Sequence, residues 1–209
     1  MKGGLVAVID YGVGNLHSVR HALDLVGADV IVTGDADEIA RAERLVLPGV
    51  GAFGRCVENL QASGLVDLLE RRVMHDGVPL FGICVGLQLL AREGYEMGVH
   101  PGLGWVPAVV KRLEPGSPGL KVPHVGWNDV NPVNESPMWA GLRGNPTFYF
   151  THSYALVPDD DTLEAASCDY GARFTAAIQR GNIFATQFHP EKSQENGLKI
   201  LENFLSWEP

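Results

Sequence analysis

Across the first half of the sequence, short apolar runs alternate with stretches of helical periodicity, and that alternation restricts the chain to a small set of folds. Leu5-Val6-Ala7-Val8-Ile9 is the right length for a buried strand and too short for a helix. Asp10-Tyr11-Gly12-Val13-Gly14 closes it, after which Leu16, Val19, Leu23 and Val26 recur at helical spacing behind Asn15 as N-cap. Val30-Ile31-Val32-Thr33 predicts a second strand, and Leu45-Val46-Leu47 a third that Pro48 stops. Helical stretches follow around Val57 to Leu60 and Leu65 to Val73. Pro79-Leu80-Phe81-Gly82-Ile83 predicts a fourth strand, with Leu87, Leu89, Leu90 and Ala91 on the helix behind it. Strand and helix in strict alternation imply right-handed crossovers and a mostly parallel central sheet flanked by helices.

The second half changes character. From Gly94 to Pro146 it is rich in Gly, Pro and Asn, with short candidate strands at Ala108 to Lys111 and Lys121 to Val125. Further strand-like runs are Phe148 to Phe150, Leu163 to Ala166, Ala176 to Gln179 and Ile183 to Gln187. Leu198, Leu201, Phe204 and Leu205 predict a closing amphipathic helix. The expectation is a single α/β domain over residues 1–209, with a smaller antiparallel portion inserted or appended.

Composition then removes whole classes of function. A chain of 209 residues with a hydrophobic fraction of 45% can hold a core without staples. Its formal net charge of −9 argues against a nucleic-acid backbone as partner. No apolar run reaches the ~18 residues that span a membrane, and Met1-Lys2-Gly3-Gly4-Leu5 lacks the apolar region of a signal peptide. Cys56, Cys84 and Cys168 are an odd number without metal-ligand spacing, which predicts reduced thiols, a cytoplasmic setting, no metal and no disulfide framework. No phosphate-binding loop is present and no cofactor is expected.

Gly82-Ile83-Cys84-Val85-Gly86 falls where the fourth strand should turn into a helix. A reactive side chain on such a turn needs close backbone approach on both sides, which favours small residues two before and two after it. The helix N-terminus beyond would favour a thiolate, and the Val85 N–H would face an oxyanion. A buried core thiol accounts for this pentapeptide equally well. His189-Pro190-Glu191 shifts the balance: in extended chain, residues two apart point the same way, so His189 and Glu191 could form a base with its orienting carboxylate. Taken alone, the tripeptide reads as a surface turn. Pro48-Gly49-Val50-Gly51 follows the third strand, where ligands bind at the carboxyl ends of such sheets, and its glycines would let the Val50 and Gly51 peptides serve as a second oxyanion donor.

These motifs converge. Gly82-Ile83-Cys84-Val85-Gly86-Leu87-Gln88 and Gln187-Phe188-His189-Pro190-Glu191-Lys192-Ser193 resemble the triad segments of class I glutamine amidotransferases. Asp10-Tyr11-Gly12-Val13-Gly14-Asn15-Leu16-His17-Ser18-Val19, Pro123-His124-Val125-Gly126-Trp127-Asn128 and Phe150-Thr151-His152-Ser153-Tyr154 are similar to the glutaminase subunits of imidazole glycerol phosphate synthases. Val85 and Leu87 stand where that family carries Leu and Met, apolar exchanges that leave the elbow glycines intact. The resemblance implies a flavodoxin-like fold and a glutaminase with Cys84, His189 and Glu191 as triad. It implies L-glutamine as substrate, held by Gly51, Gln88 and the Ser153-Tyr154 backbone, and no cofactor. It also implies a cyclase partner, a separate (βα)8 barrel that this chain has no room to contain, docked over Asn15, Pro123, His124, Trp127, Asn128 and Lys192. Trp127 fits an interface anchor on aromatic character alone, and a core Trp is its other reading. The Gly-Val-Gly setting implies a Val50 peptide that can flip, with hydrolysis slow until the partner and its ligand reorient it.

Three other functions compete: an amidotransferase subunit feeding a different pathway, a self-sufficient γ-glutamyl hydrolase, and a non-catalytic regulatory subunit. The opening Asp-Tyr-Gly-Val-Gly-Asn and the Pro-His-Val-Gly-Trp-Asn segment oppose the first. The intact Cys84, His189 and Glu191 oppose the third.

Overall fold

A computed structural model describes residues 4–116 and 119–209. Met1, Lys2 and Gly3, read above as lacking the apolar region of a signal peptide, lie outside the described residues. Strands β1 (Leu5–Ile9), β2 (Asp29–Thr33), β3 (Arg44–Gly49) and β4 (Leu80–Cys84) appear where the apolar runs predicted them. β1, β3 and β4 are buried almost throughout, since helices cover both faces of a parallel sheet. Pro48 does not stop β3. It lies inside the strand, opposite Ile83, and Gly49 pairs with Cys84.

Helix α1 (Leu16–Leu25) turns Val19, Ala22 and Leu23 inward. Asn15 occupies its N-cap position but makes no side-chain cap, so it caps by place and not by hydrogen bond. Helix α2 (Ala36–Arg41) is not legible as a periodic stretch. It forms because Asp35 Oδ1 accepts from the backbone N–H groups of Asp37 and Glu38, at 2.9 and 3.0 Å. Helix α3 (Phe53–Ala62) buries Phe53, Cys56, Val57 and Leu60. The stretch predicted from Leu65 to Val73 divides into α4 (Val66–Glu70) and a π-helical turn, Arg71–His75. Helix α5 (Val85–Leu89) starts directly from the end of β4.

The second half forms β5 (Glu93–Gly94), β6 (His100–Pro101), β7 (Ala108–Arg112), β8 (His124–Pro132), β9 (Thr147–His152) and β10 (Tyr154–Pro158). β11 (Glu164–Asp169), β12 (Arg173–Arg180), β13 (Ile183–Thr186) and α6 (Gln194–Ser206) complete it. The strand expected at Lys121 to Val125 begins instead at His124, because Pro123 has no N–H to give a ladder. One sheet has the order β2-β1-β3-β4-β13-β12-β11-β8-β9; its first five strands are parallel and the rest join antiparallel. The second sheet is β10-β7-β5-β6, with β5 parallel to β7 and the other pairs antiparallel. The antiparallel portion is therefore in part a continuation of the central sheet and in part a small sheet beside it.

Among the described residues, no helix is long and apolar enough to cross a membrane. Cys56 and Cys168 are fully buried, in α3 and β11.

Candidate active site

Parallel pairing of β3 with β4 and of β4 with β13 sets three carboxyl ends side by side. The segments leaving them carry Val50 and Gly51, Cys84 and Val85, and Gln187 to His189. A cleft of about 460 Å³ opens there, lined by Val50, Gly51, Cys84, Val85, Gln88, Ser153, Tyr154 and His189. Asn15, Pro123 and Lys192 stand on its wall, as do Glu96, Thr151 and His152.

Cys84 has φ 54° and ψ −107°, a left-handed backbone that a side chain with a Cβ adopts only when its surroundings impose it. The flanking glycines show what imposes it. A Cβ on Gly86 would lie 1.8 Å from the Leu47 carbonyl oxygen, and one on Gly82 would lie 2.9 Å from Ala185 Cβ. The elbow thus packs against β3 on one side and β13 on the other. Gly49 is held in the same way, since a Cβ there would meet Gly86 N at 2.8 Å and Tyr11 Oη at 3.0 Å. This corrects the expectation that both glycines around Val50 give freedom. Gly51 alone has it, with φ 96° and open space around it, while Gly49 is there for close packing. The Val50 carbonyl accepts from Cys56 Sγ at 3.4 Å, and the Pro48 carbonyl accepts from Tyr11 Oη at 2.7 Å. Val50 is 37% exposed.

His189 Nδ1 lies 2.8 Å from Glu191 Oε1, with both side chains 1% exposed. The pair forms by a geometry other than the expected one. His189 is extended, at φ −98° and ψ 99°, but Pro190–Lys192 is a turn of 3-10 helix, so the two side chains meet around a bend and not along a strand. Proline at the first position of that turn starts it at no cost in hydrogen bonds. The turn is tied to β9: His189 N–H donates to the Tyr149 carbonyl, and Ser193 Oγ accepts from Tyr149 N–H, both at 2.9 Å. Burial opposes a charged His189 ring, but Cys84 and Glu191 on its two sides outweigh burial and raise its pKa to about 10. Its Nε2 and Glu191 Oε2 are buried without hydrogen-bond partners of regular geometry.

Gln88 is buried, and its Nε2 donates to the Tyr154 carbonyl at 2.9 Å and to Gln187 Oε1 at 3.0 Å. His124, read as an interface residue, is not on the surface. It is buried and stacked on Phe150 and Tyr170, with ring centroids at 4.8 and 4.0 Å. β8 alternates, so it is Val125 and Trp127 that face outward. Trp127 is 46% exposed and leans edge-on against Tyr149, which removes its reading as a core residue. Asn128 spends its amide internally, donating to the Asp169 carbonyl at 2.8 Å.

Glu96 and Gln187 were missed by sequence reasoning as site residues. Glu96 comes from a glycine-rich stretch without periodicity, and nothing there marks it. Its carboxylate accepts from Phe53 N–H at 2.7 Å. Gln187 sits inside the triad segment, two residues before His189, and that adjacency is the signal that marks it in sequence. Among the described residues, no group of three or more His, Cys, Asp or Glu side chains could hold a metal ion.

A strained cysteine elbow between parallel strands, facing a buried His–Glu pair, matches what sequence comparison finds: the family model for Glutamine amidotransferase class-I covers residues 7–207. The chain is 47% identical to imidazole glycerol phosphate synthase subunit HisH of Caulobacter vibrioides, over 98% of this chain and 99% of that one. It is 49% identical to the HisH subunit of Zymomonas mobilis, over 98% of this chain and 96% of the relative. The chain therefore belongs to the class-I glutamine amidotransferases, among the HisH subunits of imidazole glycerol phosphate synthase. The solved structure of PurLQS from Thermotoga maritima shares the fold, with a TM-score of 0.76 over 98% of both chains at 19% identity.

Proposed function

We propose that the protein hydrolyses L-glutamine to glutamate and ammonia through a thioester on Cys84, and hands the ammonia to a separate cyclase subunit of imidazole glycerol phosphate synthase. The observation that carries this reading is the meeting of Cys84, on its strained elbow, with the buried His189–Glu191 pair in one cleft.

Cys84 Sγ attacks the carboxamide carbon as a thiolate, its proton already on the His189 ring, which Glu191 orients through Nδ1. Charge develops on the carboxamide oxygen, and the N–H of Val85 and those of the Val50–Gly51 segment are the donors for it. His189 returns the proton to the nitrogen, the C–N bond breaks, and ammonia leaves behind a γ-glutamyl thioester. Water, losing a proton to the now neutral His189, then attacks the thioester; glutamate departs and the Cys84 thiolate is restored beside the protonated ring. Glu96 is the carboxylate on the cleft wall, placed for the substrate's α-ammonium, while Gln88 and the Ser153-Tyr154 backbone hold the rest of the amino acid.

Ammonia is largely protonated at neutral pH, and the ammonium ion is no nucleophile, so the product needs a shielded route. A barrel partner of about 250 residues closing the cleft would supply it. That partner would use the ammonia to make imidazole glycerol phosphate and aminoimidazole carboxamide ribotide, in the cytoplasm where three free thiols persist. Asn15, Pro123 and Lys192 at the cleft, with Trp127 beside them, form the docking rim. Slow hydrolysis in the unpartnered subunit follows if the Val50 peptide rests turned away. Reorienting it would pivot on Gly51 and break the Cys56 contact to the Val50 carbonyl.

A diazoketone analogue of glutamine tests the nucleophile. One covalent adduct on Cys84 is expected in the assembled complex, and none in Cys84→Ala. An adduct on Cys56 or Cys168, or no adduct at all, would contradict the reading.

A further inference from the structure

Gln187 is fully buried and lies behind the cleft wall, yet its side chain ends on the reactive sulfur, with Nε2 donating to Cys84 Sγ at 3.6 Å. The direction of that amide is imposed by its neighbours. The Tyr154 carbonyl can only accept, so Gln88 must turn its NH2 group inward, donating one hydrogen to Tyr154 and the other to Gln187 Oε1. With Oε1 engaged, Gln187 can present only its NH2 to the sulfur. The same carbonyl accepts from His152 Nδ1 at 2.9 Å. Burial keeps the His152 ring neutral, with a pKa lowered to about 4, so its Nε2 must accept from His124 Nδ1 at 3.1 Å. His124 Nε2 in turn faces Asn128 Nδ2 at 3.4 Å. A chain of side chains, buried beyond the half-buried Asn128, thus runs from Asn128 on β8 to the Tyr154 carbonyl, and from there through Gln88 and Gln187 to Cys84.

We propose that Gln187 is a positioning residue for the nucleophile: its amide N–H, locked by Gln88 and the Tyr154 carbonyl, holds Cys84 Sγ and stabilises the thiolate. The inference rests on the reading of Cys84 as nucleophile given above. A donor to the charged form of an acid favours that form. The titratable groups facing Cys84 are His189 after β13, Tyr11 after β1 and Cys56 on α3. Burial raises the pKa of both Tyr11 and Cys56, the latter to about 11, so at neutral pH neither bears charge beside the sulfur. Of the side chains around the sulfur, His189 and Gln187 are left as those that support a thiolate, beside the backbone at the start of α5.

The test is the pH profile of iodoacetamide alkylation, followed by mass at Cys84, in wild type, Gln187→Met and Gln187→Glu. The first variant keeps side-chain length without a donor; the second keeps shape and, when ionised, has none. The alkylation midpoint should move up by about one pH unit in Gln187→Met, a roughly tenfold smaller thiolate fraction below it, and further in Gln187→Glu. Glutamine turnover in the cyclase complex should fall about tenfold in kcat with little change in KM, as expected for a group acting through the nucleophile. Midpoints equal to wild type in both variants, measured on protein with a native circular dichroism spectrum, would overturn the inference while leaving the glutaminase reading intact. Absence of turnover in the wild-type complex would instead remove that reading.

Discussion

His189 lies between two groups that want it charged, inside a core that does not. Burial lowers its pKa, but Cys84 and Glu191 together carry it to about 10, above its ordinary value near 6.5. A histidine raised in the folded state contributes stability that is complete below about pH 6.5 and is lost as pH rises towards 10. His124 and His152 work the other way. Desolvation lowers both to about 4, so their contribution is complete above about pH 6.5 and is lost as pH falls towards 4. Stability should therefore decline on both sides of a maximum near pH 6.5, with each histidine contributing a slope of at most about 1.4 kcal/mol per pH unit. Urea unfolding across pH 4 to 9 measures this. Glu191→Gln should flatten the alkaline limb and His152→Phe the acid limb, and an unchanged alkaline limb in Glu191→Gln would deny the coupling of His189 to that carboxylate. At this scale the sequence offered the triad residues but not their geometry. Strand geometry predicts that His189 and Glu191 point the same way, whereas a proline-started 3-10 turn brings them together. Gln187 and His124 needed three-dimensional contacts to be placed at all, because their partners, Cys84, Gln88 and His152, are far away in sequence.

The elements that hold the site are those with the least slack between them. Helix α6 presses on the turn that carries Glu191: a Cβ on Gly197 would lie 1.9 Å from the Pro190 carbonyl oxygen. Gly197→Ala should force the helix and the turn apart, lowering stability by about 1–3 kcal/mol and displacing Glu191 from His189. A lower Tm together with a reduced kcat is expected; a lower Tm with unchanged kcat would show that the turn keeps its place without α6. Strands β1, β3 and β4 were legible because burial on both faces leaves near-continuous apolar runs. β8 was not, since its buried positions include His124, and its outward ones include Val125 and Trp127, which inverts the usual pattern. β5 and β6 have two residues each and leave no periodicity to read. Helix α2 carries its signal in one capping aspartate, Asp35, rather than in an apolar face.

At the scale of the whole molecule, the site exists because one sheet brings β3, β4 and β13 together, although β13 is drawn from the far end of the chain. Alternation predicted parallel strands; it could not say that β13 closes against β4, because that pairing depends on contacts distant in sequence. The same sheet then runs on into β8, whose outward Trp127 stands by Tyr149 and the Lys192 ammonium, 5.8 Å from that ring. An exposed aromatic beside an open cleft is what a docking partner would cover. The proposed division of labour, a nucleophile in this chain and a gate completed by a second subunit, is tested most directly by glutamine turnover. The protein should be measured alone, with the cyclase, and with the cyclase plus its nucleotide ligand, alongside Cys84→Ala. Turnover should be slow in the isolated subunit, rise at least about tenfold when cyclase and nucleotide are both present, and be absent from Cys84→Ala throughout. Wild-type protein that is idle in every combination, or Cys84→Ala that turns over as fast as wild type, would contradict the account.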